Sequence, residues 1–261
     1  MNREMSVNGS FYPASADDIQ KYFEYFTKVY DDNYTLPNTK TRAVIVPHAG
    51  YVFSGYTANI AHRMLEHSGI KRFVVIGPSH RVAFHGVSIC PYEKYDTPFG
   101  SIESDQEIVK MLQEQLQLSF FPQAHHEHST EVQFPFLKYY IPDIKLVELV
   151  YSSAYSDTIS GIIDFLLQQQ DIGIIISTDL SHFYTLKEAN TLDEICVEAI
   201  ENLDITKLHQ GCEACGMIGV EGMIKSAKKS GLHGHILDYR TSAEMSHDEQ
   251  SVVGYVSAYF E

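Results

Sequence analysis

Five short β-rich runs punctuate the chain at positions 43–46, 73–76, 87–89, 146–150 and 172–176, several of them apolar on consecutive rather than alternate positions. A strand with one wet face alternates apolar and polar side chains, whereas consecutive apolar positions predict strands covered on both faces. Between these runs, apolar residues recur at helical spacing over 16–29, 54–66, 105–116, 156–168, 187–202 and 215–229. Ser54 and Ser104 are expected helix N-caps, and Gly69 and Gly231 fall where helix C-termini favour a left-handed residue. Asp96 to Gly100 reads as a tight connection, 231–250 as a loop region, and 251–259 as a last strand. The order is strand, helix, strand, hairpin-like insertion, helix, strand, helix, strand, helices, strand. It predicts an α/β, single-domain sandwich over residues 1–261, with a mostly parallel central sheet covered by helices.

Composition agrees with a folded chain: 44% of the 261 residues are hydrophobic and 20% charged, and no composition break marks a second domain. Lysine and arginine number 19 against 34 acidic residues, a net charge of −15 that opposes a grip on phosphate backbones, so no nucleic-acid partner is expected. No apolar run approaches the ~20 residues of a membrane span. The polar stretch Met1 to Ser10 lacks a signal-peptide core, and four cysteines are too few for a disulfide scaffold. A cytoplasmic protein with free thiols is the expectation.

Thirteen histidines are many for this length, and several follow strand-like runs. Three runs end alike: Val44 to His48, Val74 to His80, and Ile174 through Asp179 to His182. Residues just past the carboxyl ends of neighbouring parallel strands face one crevice, so these imidazoles and Asp179 are expected to meet. Imidazole and carboxylate suit borderline divalent metals, and two histidines with one anion and open positions suit non-haem iron. A fourth polar cluster, His125 to Glu131, precedes an apolar helical stretch, 132–137, with Ser129 or Thr130 as its cap and Glu131 in its first turn. His128 in this cluster is a candidate for proton transfer or for orienting ligands. Cys215, in Cys212-Glu213-Ala214-Cys215-Gly216, opens a predicted helix, where the dipole favours thiolate and hence an anionic metal ligand; a small buried apolar cysteine is the plainer reading.

Together these segments resemble the Memo family, whose bacterial and archaeal members are known as AmmeMemoRadiSam system protein B. The matching segments run from Gly9-Ser10-Phe11-Tyr12-Pro13 through Pro47-His48-Ala49-Gly50-Tyr51, Gly77-Pro78-Ser79-His80, Thr97-Pro98-Phe99-Gly100 and Glu127-His128-Ser129-Thr130-Glu131. They continue with Ser177-Thr178-Asp179-Leu180-Ser181-His182, Cys215-Gly216 and Val253-Gly254-Tyr255. The family is similar in fold to class III extradiol ring-cleaving dioxygenases, which hold non-haem iron with two histidines and a glutamate. The resemblance implies His48, His80 and Cys215 as metal ligands, with Cys215 in place of the carboxylate, and Asp179, His182 and His128 as the catalytic candidates around them.

The resemblance implies iron; a thiolate is softer than a carboxylate, so such a set would also accept copper or zinc, with selectivity set by geometry and availability. The implied function is a metal-dependent oxidoreductase acting on a small-molecule or peptide ligand, with AMMECR-like and radical SAM system proteins as partners. The alternative is a binding module that uses the pocket without turnover, since animal relatives are known for recognising phosphotyrosine peptides. Glu244, His247 and Asp248 depart from the family's small-residue pattern before the last strand.

Overall fold

The computed structural model describes residues 1–261. In chain order its elements begin with β1 (Asn2–Arg3), α1 (Ala16–Asp31), β2 (Ala43–Val46), α2 (Tyr51–Ser68), β3 (Arg72–Pro78), β4 (Val87–Ile89), β5 (Lys94–Tyr95) and β6 (Ile102–Ser104). They continue with α3 (Gln106–Leu116), a 3-10 turn (Pro122–His125), α4 (His128–Glu131), α5 (Phe134–Tyr140), β7 (Lys145–Tyr151), α6 (Ser156–Leu167) and β8 (Ile172–Ser177). The last are β9 (His182–Tyr184), α7 (Leu186–Glu201), α8 (Ile205–Leu208), α9 (Met217–Ser230), β10 (Gly234–Thr241), α10 (Ala243–Ser246) and β11 (Val252–Phe260).

One sheet runs in the order β1-β5-β6-β7-β3-β8-β2-β11-β10, with β4 on β7 and β9 on β11. Its centre, β6-β7-β3-β8-β2, is parallel, and antiparallel pairs lie toward the edges. Because successive side chains of a strand leave by opposite faces, the apolar runs feed two cores. Val74, Ile76, Ile174 and Ile176 pack under α3, α6, α7 and α9, while Phe73, Val75, Val44 and Val46 pack under α2 and α5. An aromatic cluster, Phe23, Phe26, Tyr51 and Phe136 among others, joins α1 to α2 and α5.

Several local expectations are corrected. Ser54 lies inside α2, which starts three residues earlier behind Gly50, and Asp105 rather than Ser104 caps α3, accepting from the Ile108 N–H. The loop expected over 231–250 contains β10, antiparallel to β11; its half-buried mixture of Asp238, Arg240 and apolar residues hid it. Gly69 and Gly231 do take the left-handed conformation, at φ 76° and 69°. Cys196 of α7 and Cys212 form a disulfide, so only Cys90 and Cys215 are free thiols. The packing of α7 against the turn after α8 brings these two together, a tertiary contact that composition does not reveal. No helix is long and apolar enough to cross a membrane.

His62 of α2 is buried, stacked on Phe136 at 4.8 Å between ring centroids and hydrogen-bonded to Gln133 Oε1. Burial lowers its pKa from 6.5 to about 4. The folded protein thus refuses a proton that the unfolded chain accepts, so stability is complete above pH 6.5 and falls as pH drops toward 4. The loss from this residue is about 3 kcal/mol. Urea denaturation at stepped pH checks it, and His62→Leu is expected to remove part of the slope.

Candidate metal centre

β3, β8 and β2 are adjacent and parallel, so their carboxyl ends deliver His80, Asp179 and His48 to one edge. α4 brings His128 over that edge, and the turn before α9 brings Cys215. Ring centroids lie 5.1 Å apart for His48 and His80, 5.4 Å for His48 and His128, and 4.5 Å for His80 and His128. One ring nitrogen from each of these three lies within 4.8 Å of the other two, the spacing of groups able to hold one ion. Cys215 Sγ is 3.2 Å from His48 Nε2 and accepts the Asp179 N–H at 3.3 Å.

The tautomers follow from the surrounding hydrogen bonds. Ser177 Oγ donates to Ser129 O at 2.5 Å, leaving its lone pairs for Gln133 Nε2 at 3.1 Å and His48 Nδ1 at 3.0 Å. His48 therefore carries its proton on Nδ1 and a free lone pair on Nε2. Glu127 accepts from Nδ1 of His80 at 3.2 Å and from Nδ1 of His128 at 2.8 Å, which leaves both Nε2 atoms free as well. Carboxylate or hydroxyl behind imidazole is the usual outer support of a metal-binding histidine. Further back, His62 donates to Gln133 Oε1, which turns the Gln133 amide so that its nitrogen faces Pro47 O and Ser177 Oγ.

Glu127 is the residue that reading of the sequence undervalued. It is buried, caps α4 through the N–H groups of His128 and Ser129, and accepts the His80 N–H at 2.7 Å. Burial alone would raise its pKa, but hydrogen bonds from His128 and His80 hold it far below the ordinary carboxylate range. The expected caps, Ser129 and Thr130, instead lie inside α4, where Ser129 Oγ donates to Pro78 O. Glu131 does lie in the first turn of α4, but its carboxylate is also taken up elsewhere. Its carboxylate gathers Arg3, the Ser6 and Val7 N–H groups and the Tyr12 hydroxyl, pinning the N-terminal segment.

Asp179 is buried and its Oδ1 accepts the His48 N–H at 2.7 Å; burial raises its pKa, and that hydrogen bond and nearby imidazoles pull the other way. His182 Nδ1 lies 2.8 Å from Leu180 O, so it too presents Nε2 outward. Burial, with the Asp179 charge second, pushes the Cys215 thiol up to about 12. Burial, then the charges of His80 and His128, drives His48 well below its usual value, so it stays neutral. Two glycines permit the approach. A Cβ on Gly216 would lie 2.6 Å from Thr178 Cβ and 2.9 Å from Ser177 O, and one on Gly77 would lie 2.7 Å from Ser129 Oγ. Beside the centre, a cleft of about 360 Å³ is lined by Phe11, Tyr12, Tyr22, Gly50, Tyr51 and Phe53, and the Phe11 ring packs 4.5 Å from that of His128. Glu244 lies farther out in α10, paired with Arg240.

Fold and site define an α/β protein with a histidine- and thiol-rich centre of metal-binding type at the carboxyl ends of its parallel strands. A family described as "Memo-like protein" matches residues 3–259. A MEMO1 family protein of Methanobrevibacter smithii is 33% identical over all of both chains. Those of Sulfurisphaera tokodaii, 32% identical over 100% of this chain and 99% of its own, and of Aquifex aeolicus, 30% over 99% and 98%, are similar along the same length. The chain belongs to the Memo family.

Two outcomes are expected here. Glu127→Gln keeps the shape but removes the charge that orients two imidazoles, so divalent-metal affinity measured by titration calorimetry should fall about 10- to 100-fold. Gly216→Ala forces the Cys215 turn off Thr178, and should lower thermal stability by about 1–3 kcal/mol, read by denaturant titration.

Proposed function

We propose that this Memo-family chain is a metal-dependent oxidoreductase whose cation is held by His48, His80 and Cys215. The observation that carries this reading is the set of imidazoles fixed through Nδ1, each with a free Nε2 lone pair, next to a thiol 3.2 Å from one of them. Thiolate with two imidazoles accepts ferrous iron, copper or zinc, with geometry and availability deciding among them. Iron is put first because the family resembles non-haem iron enzymes with two histidines and one anionic ligand. A redox-active cation in such a set supplies one-electron chemistry and open positions for a small oxidant or substrate.

The chain's own residues then have distinct tasks. His48 Nε2 and the Cys215 sulfur, 3.2 Å apart, would both serve the cation, so His48 stays neutral and loading releases the Cys215 thiol proton to solvent. His128, at ligand distance from His48 and His80, moves protons to and from a bound small molecule, and Phe11 behind it closes one wall. Asp179 orients the His48 backbone, and His182, held through Nδ1 by Leu180 O, is the remaining proton-transfer candidate of this reading. The small aromatic cleft supports action on a small molecule; a cytoplasmic location and AMMECR-like and radical SAM partner proteins belong to this reading through the family resemblance alone. A phosphopeptide pocket is less well supported: Arg42 is tied to Leu167 and Gln169 carbonyls, Arg63 to Asp31, and Arg72 to Asp105, Glu107 and Asp171, which leaves the exposed Arg81 beside His80 as a single cation rather than a cluster.

The test is metal content after anaerobic purification. Iron is expected near one equivalent in the parent protein and to fall at least tenfold in His48→Ala and Cys215→Ser, while His128→Gln keeps its iron but loses turnover. Iron should leave as acid protonates the imidazoles and thiolate, and ferrous protein should bind nitric oxide at an open position. Retention of iron in Cys215→Ser with loss in His128→Gln would replace the thiolate set by three histidines; a metal-free protein throughout would refute the metal assignment.

A further inference from the structure

A second cluster of metal-type side chains lies on the β4–β7 ladder, apart from the centre above. β4 runs antiparallel to β7 with Ser88 opposite Val150, and just beyond it the Cys90 N–H donates to Glu148 O at 3.0 Å. Residues facing each other across a ladder, or two apart along a strand, share a face, so Ser88, Cys90 and Glu148 point the same way. His125, ending the 3-10 turn, covers that face, with Nδ1 2.7 Å from Glu148 Oε2 and Nε2 2.8 Å from Ser88 Oγ. One ligand atom each from Cys90, His125 and Glu148 lies within 4.8 Å of the other two, and all three residues are buried.

The charge around this cluster is unbalanced. The Arg3 guanidinium is paired with Glu131 and lies 3.4 Å from Glu148, which also accepts from Thr130 Oγ1 and His125 Nδ1; with His125 neutral this is one buried cation against two buried carboxylates. A surplus negative charge away from water is costly unless something cationic meets it. A divalent cation bound with Cys90 as thiolate brings the cluster to neutrality. A cleft of about 220 Å³ lined by Arg3, Tyr92, Pro122 and His125 offers the way in.

We propose that Cys90, His125 and Glu148 form a second cation site, for a borderline divalent metal of the zinc class. Thiolate, imidazole and carboxylate are the ligands that class takes, and a fourth position toward the cleft is left for water. On loading, the Cys90 thiol releases its proton. His125, whose Nδ1–H donates to Glu148 in the unloaded site, moves that proton to Nε2, binds through Nδ1 as neutral imidazole and donates Nε2–H to Ser88 Oγ as the outer hydrogen bond. No electrons move. The site ties β4 and β7 to the turn that leads into Glu127 and His128, so its role is to brace that approach, and it stands whether or not the first centre is an enzyme.

Full-length protein stripped by chelation and reloaded with Zn²⁺ alone is expected to bind two equivalents, and His125→Gln and Cys90→Ser one. With Co²⁺ as probe, Cys215→Ser protein should keep a thiolate-to-cobalt charge-transfer absorption that the Cys215→Ser, Cys90→Ser double variant loses. Cys90→Ala, an apolar replacement at a buried position, guards against a folding defect, with circular dichroism as its check. Unchanged zinc stoichiometry in folded His125→Gln and Cys90→Ala, or no cobalt–thiolate absorption in Cys215→Ser, would overturn the second site. Because the Cys215→Ser background removes only the first centre's thiol, failure of one site leaves the other readable.

Discussion

A single buried carboxylate organises the candidate centre. Glu127 receives the backbone N–H groups of His80, His128 and Ser129 and the Nδ1 protons of His80 and His128. A carboxylate out of water is tolerated only when its lone pairs are filled, and five donors fill these. The same contacts that keep Glu127 ionised join the end of β3 to the start of α4 and hold two imidazoles in the tautomer a metal needs. Stability of the fold at this edge and readiness of the site are therefore one interaction.

His48 gets equivalent support without a carboxylate. Ser177 at the end of β8 accepts its Nδ1 proton, and Gln133 fixes Ser177 from the other side while being fixed by His62. This chain of neutral hydrogen bonds runs from the middle of α2 to the centre. It explains why a histidine is kept neutral so deep in the core, where burial lowers its pKa to about 4. The N-terminal segment is held by a third polar hub, Glu131, which brings Phe11 against His128.

The α/β class and the neighbouring strands at 43–46, 73–76 and 172–176 were legible because buried parallel strands write themselves as unbroken apolar runs, a local signal. The convergence of His48, His80 and Asp179 followed from that topology, whereas His182, expected with them, sits in β9 paired with β11 and is not among the ring nitrogens at ligand distance. What escaped depends on contacts distant in sequence. β10 carries Asp238 and Arg240 on a half-buried ladder and reads as loop. Glu127 and Glu131 look alike as acids near a helix start, and only the fold shows that one receives imidazoles and the other Arg3. Cys212 shares a short motif with Cys215 yet pairs with Cys196 on another helix. His128 reads from sequence as a proton-transfer residue, and the fold places its ring at ligand distance from two others.

The most direct measurement of the central claim is X-ray absorption at the iron edge of anaerobically loaded protein. Two imidazole nitrogens and one sulfur around ferrous iron, with the sulfur contribution gone in Cys215→Ser, is the predicted result. A coordination shell of nitrogen and oxygen alone in the parent protein, unchanged by Cys215→Ser, would contradict it.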